Sequence, residues 1–183
     1  MIIGVSGTLG SGKDTVSEYL IKKGWQHISL SDLIRKEAKK RGVGFDRDSL
    51  REFANLLAKE DGSDALAKIA ITKKQKNNLV ISSVRKPGEV DYLKKIPDFK
   101  LFFINASIKL RYKRIIKRAR VGDMTMTFDE FEKQEKQEMS GKSSQVLSYC
   151  KSHADVIIDN SGSLENLYKQ IDKVLNAKKK KAK

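Results

Sequence analysis

The chain has 183 residues, of which 39% are hydrophobic, and it carries 38 lysine and arginine residues against 23 aspartate and glutamate residues. This length fits one hydrophobic core, and no apolar run approaches the length of a membrane span. The formal charge of +15 favours anionic partners, either nucleotides or nucleic acid. A single cysteine, Cys150, excludes an internal disulfide. Since no basic leader precedes the first predicted strand, we expect a cytoplasmic protein.

The first predicted strand and the loop after it carry the strongest signal in the sequence. Residues 1–6 form an apolar run, and glycines follow at positions 7, 10 and 12, before an amphipathic segment. The spacing from Gly7 to Gly12 and Lys13 fits the phosphate-loop pattern G-x-x-x-x-G-K between a strand and a helix. Backbone N–H groups of such a loop approach phosphate oxygens, and the lysine reaches the β and γ phosphates. The predicted ATP contacts in this loop are Gly7, Gly10, Ser11, Gly12, Lys13, Asp14 and Thr15.

One position departs from the phosphate-loop pattern. Asp14, with Thr15 next to it, stands where a serine or threonine normally contacts Mg²⁺. Asp14 is either an acidic residue that stabilises the dipole of the first helical turn or a hard oxygen ligand for Mg²⁺. The sequence leaves both interpretations open.

A second motif follows the second predicted strand, where Ile28, Ser29, Asp32 and Arg35 are spaced as in the pattern I-S-x-G-D-x-x-R. This segment resembles the start of the acceptor-binding helix of nucleoside monophosphate kinases. Ser31 replaces the usual glycine and is predicted to be the helix N-cap. The resemblance implies that Arg35 binds the acceptor phosphate, since a guanidinium can donate to two phosphate oxygens, and that Asp32 also belongs to the substrate-binding residues. The alternative for Arg35 is an exposed charge on the helix surface.

A third motif follows the strand predicted at residues 79–83. Residues 81–90 resemble the I-S-D-V-R-x-P-N-E-V segment of phage deoxynucleoside monophosphate kinases. The S-G-K-D-T sequence at residues 11–15 also resembles the phosphate loop of those kinases, and phosphomevalonate kinases share its S-G-K-D part. The likeness implies that Arg85 holds the acceptor phosphate, with a surface arginine as the alternative. Ser82 and Ser83 replace the aspartate that orders Mg²⁺ in these kinases. The candidate metal ligands are therefore Asp14, Thr15, Ser82 and Ser83, with Asp14 supplying the missing carboxylate.

Arginines follow the fourth predicted strand. Residues 114–118 resemble the R-I-x-x-R segment that leads into the lid of monophosphate kinases. The resemblance implies that Arg114, Arg118 and Arg120 lie along the transferring phosphoryl group, with a short lid at about 118–127. Phosphoryl transfer depends mainly on positioning and charge neutralisation, which arginines supply. A basic helix face, solvated or in contact with nucleic acid, is the alternative, and it explains Arg111 equally well.

The last motif is the turn N-S-G-S-L-E at residues 160–165. It resembles an ending common to P-loop small-molecule kinases, and this implies that Asn160 and Gly162 contact adenine. Five lysines lie among the last six residues, and they predict a disordered basic tail at 177–183, with weak nucleic-acid contact as one option.

Alternation of strands and helices predicts a three-layer α/β/α fold with a five-stranded parallel sheet. We expect one kinase domain at 1–176, with an acceptor-binding insert at about 31–76. The predicted activity is ATP- and Mg²⁺-dependent phosphorylation of a small phosphorylated acceptor, namely a nucleoside or deoxynucleoside monophosphate, by a monomer or homodimer. Alternatives are a dephospho-coenzyme A or phosphomevalonate kinase, a nucleic-acid-binding ATPase or switch, and a kinase relative without turnover, as Ser82 and Ser83 would allow.

Overall fold

The computed structural model describes residues 1–118, 126–139 and 146–179. The strands are β1 (Ile2–Gly7), β2 (Gln26–Ser29), β3 (Leu79–Ser82), β4 (Phe99–Asn105) and β5 (Val156–Asp159). The helices are α1 (Lys13–Lys22), α2 (Leu30–Lys40), α3 (Arg47–Asp61), α4 (Ala65–Thr72), α5 (Pro87–Lys94), α6 (Ile108–Arg118), α7 (Phe128–Met139), α8 (Leu147–Ser152) and α9 (Leu164–Lys179). No helix within these ranges is long and apolar enough to cross a bilayer.

All five strands are parallel, in the order β2-β3-β1-β4-β5. The central strand β1 pairs on both sides, so that Ile2 lies opposite Leu79 of β3 and Phe99 of β4. Every residue of β1 and β3 is buried, as expected for parallel strands covered on both faces. Alternate residues of β1, β3 and β4 belong to two separate apolar clusters, packed against different helices. The predicted three-layer α/β/α fold is confirmed.

The carboxyl ends of three neighbouring strands position the candidate site. Strand β1 leads into the glycine-rich loop, and the ends of β3 and β2 lie beside it, with Ser82 in register with Ser29. In a parallel sheet these ends share one edge, which is where ligands of such folds bind. The first, second and third sequence motifs therefore meet at one edge of the sheet.

Helix α2 begins one residue earlier than its predicted cap. Ser29 ends β2 with an extended backbone, and its hydroxyl accepts a hydrogen bond from the Asp32 N–H at 3.2 Å. Ser29 is therefore the N-cap, and the prediction of Ser31 is wrong. The reason is that the strand runs directly into the helix, so the last strand residue is the one with the extended conformation that a cap requires.

Two segments near the carboxyl end differ from what the sequence pattern suggests. Helix α8 has no counterpart in the sequence motifs, although its Leu147 and Cys150 are buried. Six residues give too little periodicity to be recognised as a helix. Helix α9 continues to Lys179, three residues into the predicted tail. The proposed lid lies mostly at residues 119–125, which are outside the described residues.

Candidate active site

The phosphate loop requires glycine at two positions because other elements approach it closely. Gly12, the N-cap of α1, has a left-handed backbone with φ of 93°. A Cβ at Gly12 would collide with the side-chain nitrogen of Asn160, and a Cβ at Gly10 would lie 2.8 Å from the carbonyl oxygen of Arg111. The loop is thus packed between its own helix, α6 and the turn after β5.

Two hydroxyls of the loop are buried without hydrogen-bond partners among the described residues. They are Thr8 Oγ1 and Ser11 Oγ, on residues that are only 4% and 0% exposed. Lys13 is also buried, and its Nζ lies 3.5 Å from the Thr8 carbonyl oxygen, at the limit of a hydrogen bond. A buried hydroxyl without a partner is costly. These groups therefore fit phosphate oxygens, which would accept hydrogen bonds from the hydroxyls and the ammonium.

Asn160 holds the loop from the far side of the sheet edge. Its side-chain amide donates to the Ser11 carbonyl at 2.8 Å, and its backbone N–H donates to the Asn105 carbonyl at 2.8 Å. Arg114 in turn donates from Nη2 to the Asn160 carbonyl at 2.8 Å. Asn160 is buried, whereas Gly162 lies in an exposed turn. The side chain of Asn160 thus contacts loop backbone, and the adenine contact stays a prediction for both residues.

A cleft of about 700 Å³ joins the loop to the ends of β2 and β3. The predicted site residues that line it are Gly10, Gly12, Lys13, Asp14, Asp32, Arg35, Ser82, Ser83 and Arg85. The structure therefore brings the phosphate loop, the two proposed acceptor arginines and the proposed metal ligand Asp14 to one cavity. A volume of this size is typical of sites for small molecules and cofactors.

Other predicted residues lie elsewhere. The described lining of the cleft does not include Gly7, Ser11, Thr15, Arg114, Asn160 or Gly162. Gly7, Ser11 and Asn160 form or contact the loop from behind. The side chain of Arg118 and all of Arg120 are outside the described residues. The predicted phosphoryl contacts of the arginine cluster therefore remain predictions.

Polar side chains at the strand ends form two hydrogen-bonded groups that sequence reasoning did not assemble. His27 Nε2 lies 2.8 Å from Ser82 Oγ, while Ser31 Oγ lies 2.9 Å from Ser29 Oγ and 3.3 Å from Ser83 Oγ. Partial burial lowers the pKa of His27, against the opposing effects of nearby aspartates. All five residues line the cleft. The signal that could have found them is the parallel pairing of β2 with β3, which places Ser29 beside Ser82.

Ser83 is held in an unusual backbone conformation at the same edge. Its φ is +65°, in the left-handed region that disfavours residues with a Cβ. Such outliers persist where surrounding structure enforces them, often at functional sites. The chain adopts this conformation after it leaves β3 and before it enters α5. In sequence, Ser83 lies between two other residues of the cleft, Ser82 and Arg85.

The inner end of the cleft combines an apolar wall with two charged groups that have structural partners. Buried Lys86 donates from Nζ to the Ala54 carbonyl of α3 at 2.7 Å. Buried Glu89 accepts from the N–H groups of Arg85 and Lys86 at 2.8 and 3.0 Å. Burial lowers the pKa of Lys86 and raises the pKa of Glu89. The apolar part of the wall comes from α2, α3 and α4, through Ile34, Leu50 and Leu66.

Comparison with known proteins extends this geometry. A family model described as an AAA domain matches residues 3–139. A UPF0200 protein of Pyrococcus horikoshii is 32% identical over 186 residues, covering 96% of each chain. Among solved structures, TT1252 from Thermus thermophilus superposes with a TM-score of 0.66 at 19% identity, covering 97% of each chain. Shikimate kinase from Bacteroides thetaiotaomicron superposes with a TM-score of 0.64 at 15% identity, covering 98% of each chain.

The two structural likenesses show the fold alone, because identities below 20% carry no more than that. One of the two neighbours with this fold is a kinase. The two sequence matches show the family, since the family model spans most of the chain and the Pyrococcus relative aligns with almost all of it. The particular resemblance to monophosphate kinases is not reproduced by these comparisons. The chain therefore belongs to the UPF0200 family and contains an AAA domain over residues 3–139.

Proposed function

We propose that the protein is an ATP- and Mg²⁺-dependent kinase that transfers the γ-phosphoryl group to a small phosphorylated acceptor, a nucleoside or deoxynucleoside monophosphate. One observation carries this proposal. The cleft that is lined by Lys13 of the phosphate loop is also lined by Arg35 and Arg85, the cations that a phosphorylated acceptor requires. The fold shared with a kinase of known structure supports phosphoryl transfer in general.

The chain's residues have separable tasks in this reaction. Backbone N–H groups and the ammonium of Lys13 hold the ATP phosphates. Arg35 and Arg85 hold the acceptor phosphate, one oxygen of which forms a bond to the γ-phosphorus while the bond to the β–γ bridging oxygen breaks and ADP leaves. Closure of the cleft over both reactants excludes water, which would otherwise receive the phosphoryl group. Arg114, Arg118 and Arg120 are proposed to neutralise charge on the transferring group.

The site can hold a magnesium ion with only a few ligands from the protein. No group of three or more histidine, cysteine, aspartate or glutamate side chains in the described parts of the chain could hold a metal by itself. Mg²⁺ in phosphotransferases is commonly bound by one or two carboxylates together with substrate phosphates. Asp14 is exposed in the cleft next to Lys13, so its carboxylate can serve, with Thr15, Ser82 and Ser83 holding metal-bound waters. Bound there, Mg²⁺ would neutralise phosphate charge.

The Asp14 proposal predicts a changed Mg²⁺ requirement. Asp14→Ala removes the only carboxylate we assign to the metal, so we expect kcat to fall about tenfold and the half-saturating Mg²⁺ concentration to rise. ADP release measured across a Mg²⁺ titration gives both values. Glu165→Ala, an exposed acidic residue in the first turn of α9 and outside the cleft lining, is the matched control. A variant at position 14 with unaltered turnover and Mg²⁺ response would show that Asp14 only stabilises the first turn of α1.

A screen of acceptors tests the proposed function itself. ADP release is measured with ATP, Mg²⁺ and catalytic amounts of protein, using ribo- and deoxynucleoside monophosphates, dephospho-coenzyme A, phosphomevalonate and shikimate as acceptors. We expect one or more monophosphates to raise turnover well above the acceptor-free rate. If only one of the other acceptors raised turnover, the protein would be assigned to the kinases that phosphorylate that acceptor. The absence of stimulation by every acceptor would refute the kinase proposal.

The excess positive charge supports a second candidate, a nucleic-acid-binding ATPase. It predicts RNA or DNA binding that weakens steeply with salt, and little stimulation by small acceptors. Removing residues 177–183 separates the two. We propose that kinase activity survives this truncation and that the basic end contributes at most weak nucleic-acid contact in a cytoplasmic monomer or homodimer.

A further inference from the structure

Arg111 of α6 is almost completely buried, and its guanidinium contacts three different elements. The residue is 3% exposed. Its Nε donates to the Ala106 carbonyl at 2.8 Å, and its Nη1 donates to the Leu9 carbonyl of the phosphate loop at 3.2 Å. Its Nη2 donates to both carboxylate oxygens of Glu135 in α7, at 2.6 and 2.5 Å. A solvated basic helix face therefore does not describe Arg111.

Glu135 connects this arginine to a helix that borders the cleft. Its neighbours Gln134 and Glu138 line the cleft that contains Lys13. The same stretch of α7 also lies against the loop residues Thr8 and Leu9, separated from them by a gap of only about 10 Å³. Helix α7 therefore reaches the phosphate loop at Thr8 and Leu9, and Arg111 is the charged link between the helix and the loop.

We propose that Arg111, oriented by Glu135, is a positioning residue that holds the phosphate loop in the shape that binds the ATP phosphates. This inference rests on the proposed function, and it adds α7 to the elements that shape the nucleotide site. Asn160 fixes the Ser11 carbonyl and Arg111 fixes the Leu9 carbonyl, two residues away on the same loop. With both carbonyls held, the intervening N–H groups keep their direction before the nucleotide arrives, and the loop pays less entropy on binding.

A guanidinium paired with a carboxylate is needed for this role because position matters as well as charge. Lysine in place of Arg111 would keep the attraction to Glu135 but could not donate to Ala106, Leu9 and the carboxylate at once. Glutamine in place of Glu135 keeps the size and an acceptor oxygen but removes the charge that fixes the guanidinium. The two substitutions weaken the same link from its two ends.

The test is the affinity for the ATP analogue AMP-PNP with Mg²⁺, measured by calorimetry at 15 °C in folded variants. We expect Arg111→Lys to weaken binding about tenfold and Glu135→Gln about fivefold. The double variant should resemble Arg111→Lys, because residues that act as one unit are not additive. Glu132→Gln is the matched control, since this α7 residue forms an exposed pair with Lys136, and it should bind as the wild type does.

The outcomes separate this inference from the proposed function. Wild-type affinity in folded Arg111→Lys and Glu135→Gln would show that the pair only stabilises the packing of α6 on α7, which lowers the melting temperature without changing the dissociation constant. If Arg111→Lys does not fold, Glu135→Gln alone decides. If the wild-type protein itself fails to bind AMP-PNP, the proposed function is refuted and this inference falls with it.

Discussion

The cleft has a proposed nucleotide half, built on the phosphate loop, and a proposed acceptor half, at Arg35 and Arg85. The phosphate loop and Arg35 are held in place in different ways. On the nucleotide side, the Leu9 and Ser11 carbonyls accept hydrogen bonds from buried Arg111 and Asn160. On the acceptor side, Arg35 pairs with Asp32 at 3.1 Å within one helix, and their side chains are 53% and 72% exposed. The phosphate loop is fixed by buried contacts between distant segments, whereas Arg35 is held by a local contact in water.

This difference indicates which half is formed before its ligand binds. Hydrogen bonds between buried groups are costly to break, whereas an exposed pair three residues apart in a helix is worth only about 0.5 kcal/mol. The phosphate loop is therefore preformed, and Arg35 can leave Asp32 when a phosphate arrives. Substitutions in the two halves should consequently affect different kinetic constants.

The largest effect is expected at Lys13, the only ammonium that we place on the ATP phosphates. Lys13→Ala removes a buried charge that stabilises the transferring group, and we expect kcat/KM for ATP to fall about 10²- to 10³-fold. Initial rates of ADP release at varied ATP concentration measure this. Lys22→Ala, an exposed lysine near the end of the same helix, is the control. A loss of less than tenfold would contradict the proposed phosphate site.

The next largest effect is expected in the acceptor half. It should appear in KM for the acceptor and not in kcat/KM for ATP. Arg85→Gln should raise KM for the acceptor about 10- to 100-fold, because a charged hydrogen bond to phosphate is lost, and it should leave KM for ATP nearly unchanged. Both constants come from the acceptor that the screen identifies. Arg41→Gln, which disrupts pairs with Glu37 and Glu60 and a contact with the Phe53 ring outside the cleft lining, should change neither. An equal rise in both KM values would mean that the two halves are not independent.

Ser83 provides a smaller test of how the acceptor half is built. Its hydroxyl bonds to Ser31, and its φ of +65° strains any residue with a Cβ. Ser83→Gly and Ser83→Ala both remove the hydroxyl, but only glycine relieves the strain. We therefore expect Ser83→Gly to be about 1 kcal/mol more stable than Ser83→Ala in urea unfolding, with similar acceptor KM values for the two. Equal stability would mean that the strain is relieved elsewhere.

The nucleotide half was largely predictable from the sequence, because its signal is local. Gly10, Gly12 and Lys13 are adjacent in the chain, and a strand and a helix on either side give the loop its context. The parallel sheet could likewise be predicted from the alternation of apolar runs with amphipathic segments. What the local pattern omits is the set of residues that hold the loop, Arg111 and Asn160, which approach it from about 100 and 150 positions away.

The acceptor half was predictable only in part, because its contacts depend on register and tertiary packing. The arginines were identifiable from their motifs, yet the link between His27 and Ser82 arises from the side-by-side pairing of β2 with β3. In the sequence, Lys86 has the pattern of an exposed lysine next to a proline. Its hydrogen bond to the Ala54 carbonyl forms only when α3 packs over it. The cap of α2 was misplaced for a similar reason, since only the structure shows where β2 ends.

Cys150 tests the packing beneath the acceptor half through stability alone. Its thiol is fully buried near the Val84 carbonyl, and burial raises the pKa of Cys150 from 9.0 to about 11. Because the folded protein favours the neutral thiol, this contribution to stability is complete below pH 9 and is lost as the pH rises through about 11. The stability advantage of the wild type over Cys150→Ala should therefore shrink by roughly 1–2 kcal/mol between pH 8 and pH 11. Urea unfolding at several pH values measures this advantage, and the other titrating groups cancel because both proteins contain them. An advantage that stays constant with pH would show that the thiol ionises in the fold as it does in water, so that the layer under Val84 is open to solvent.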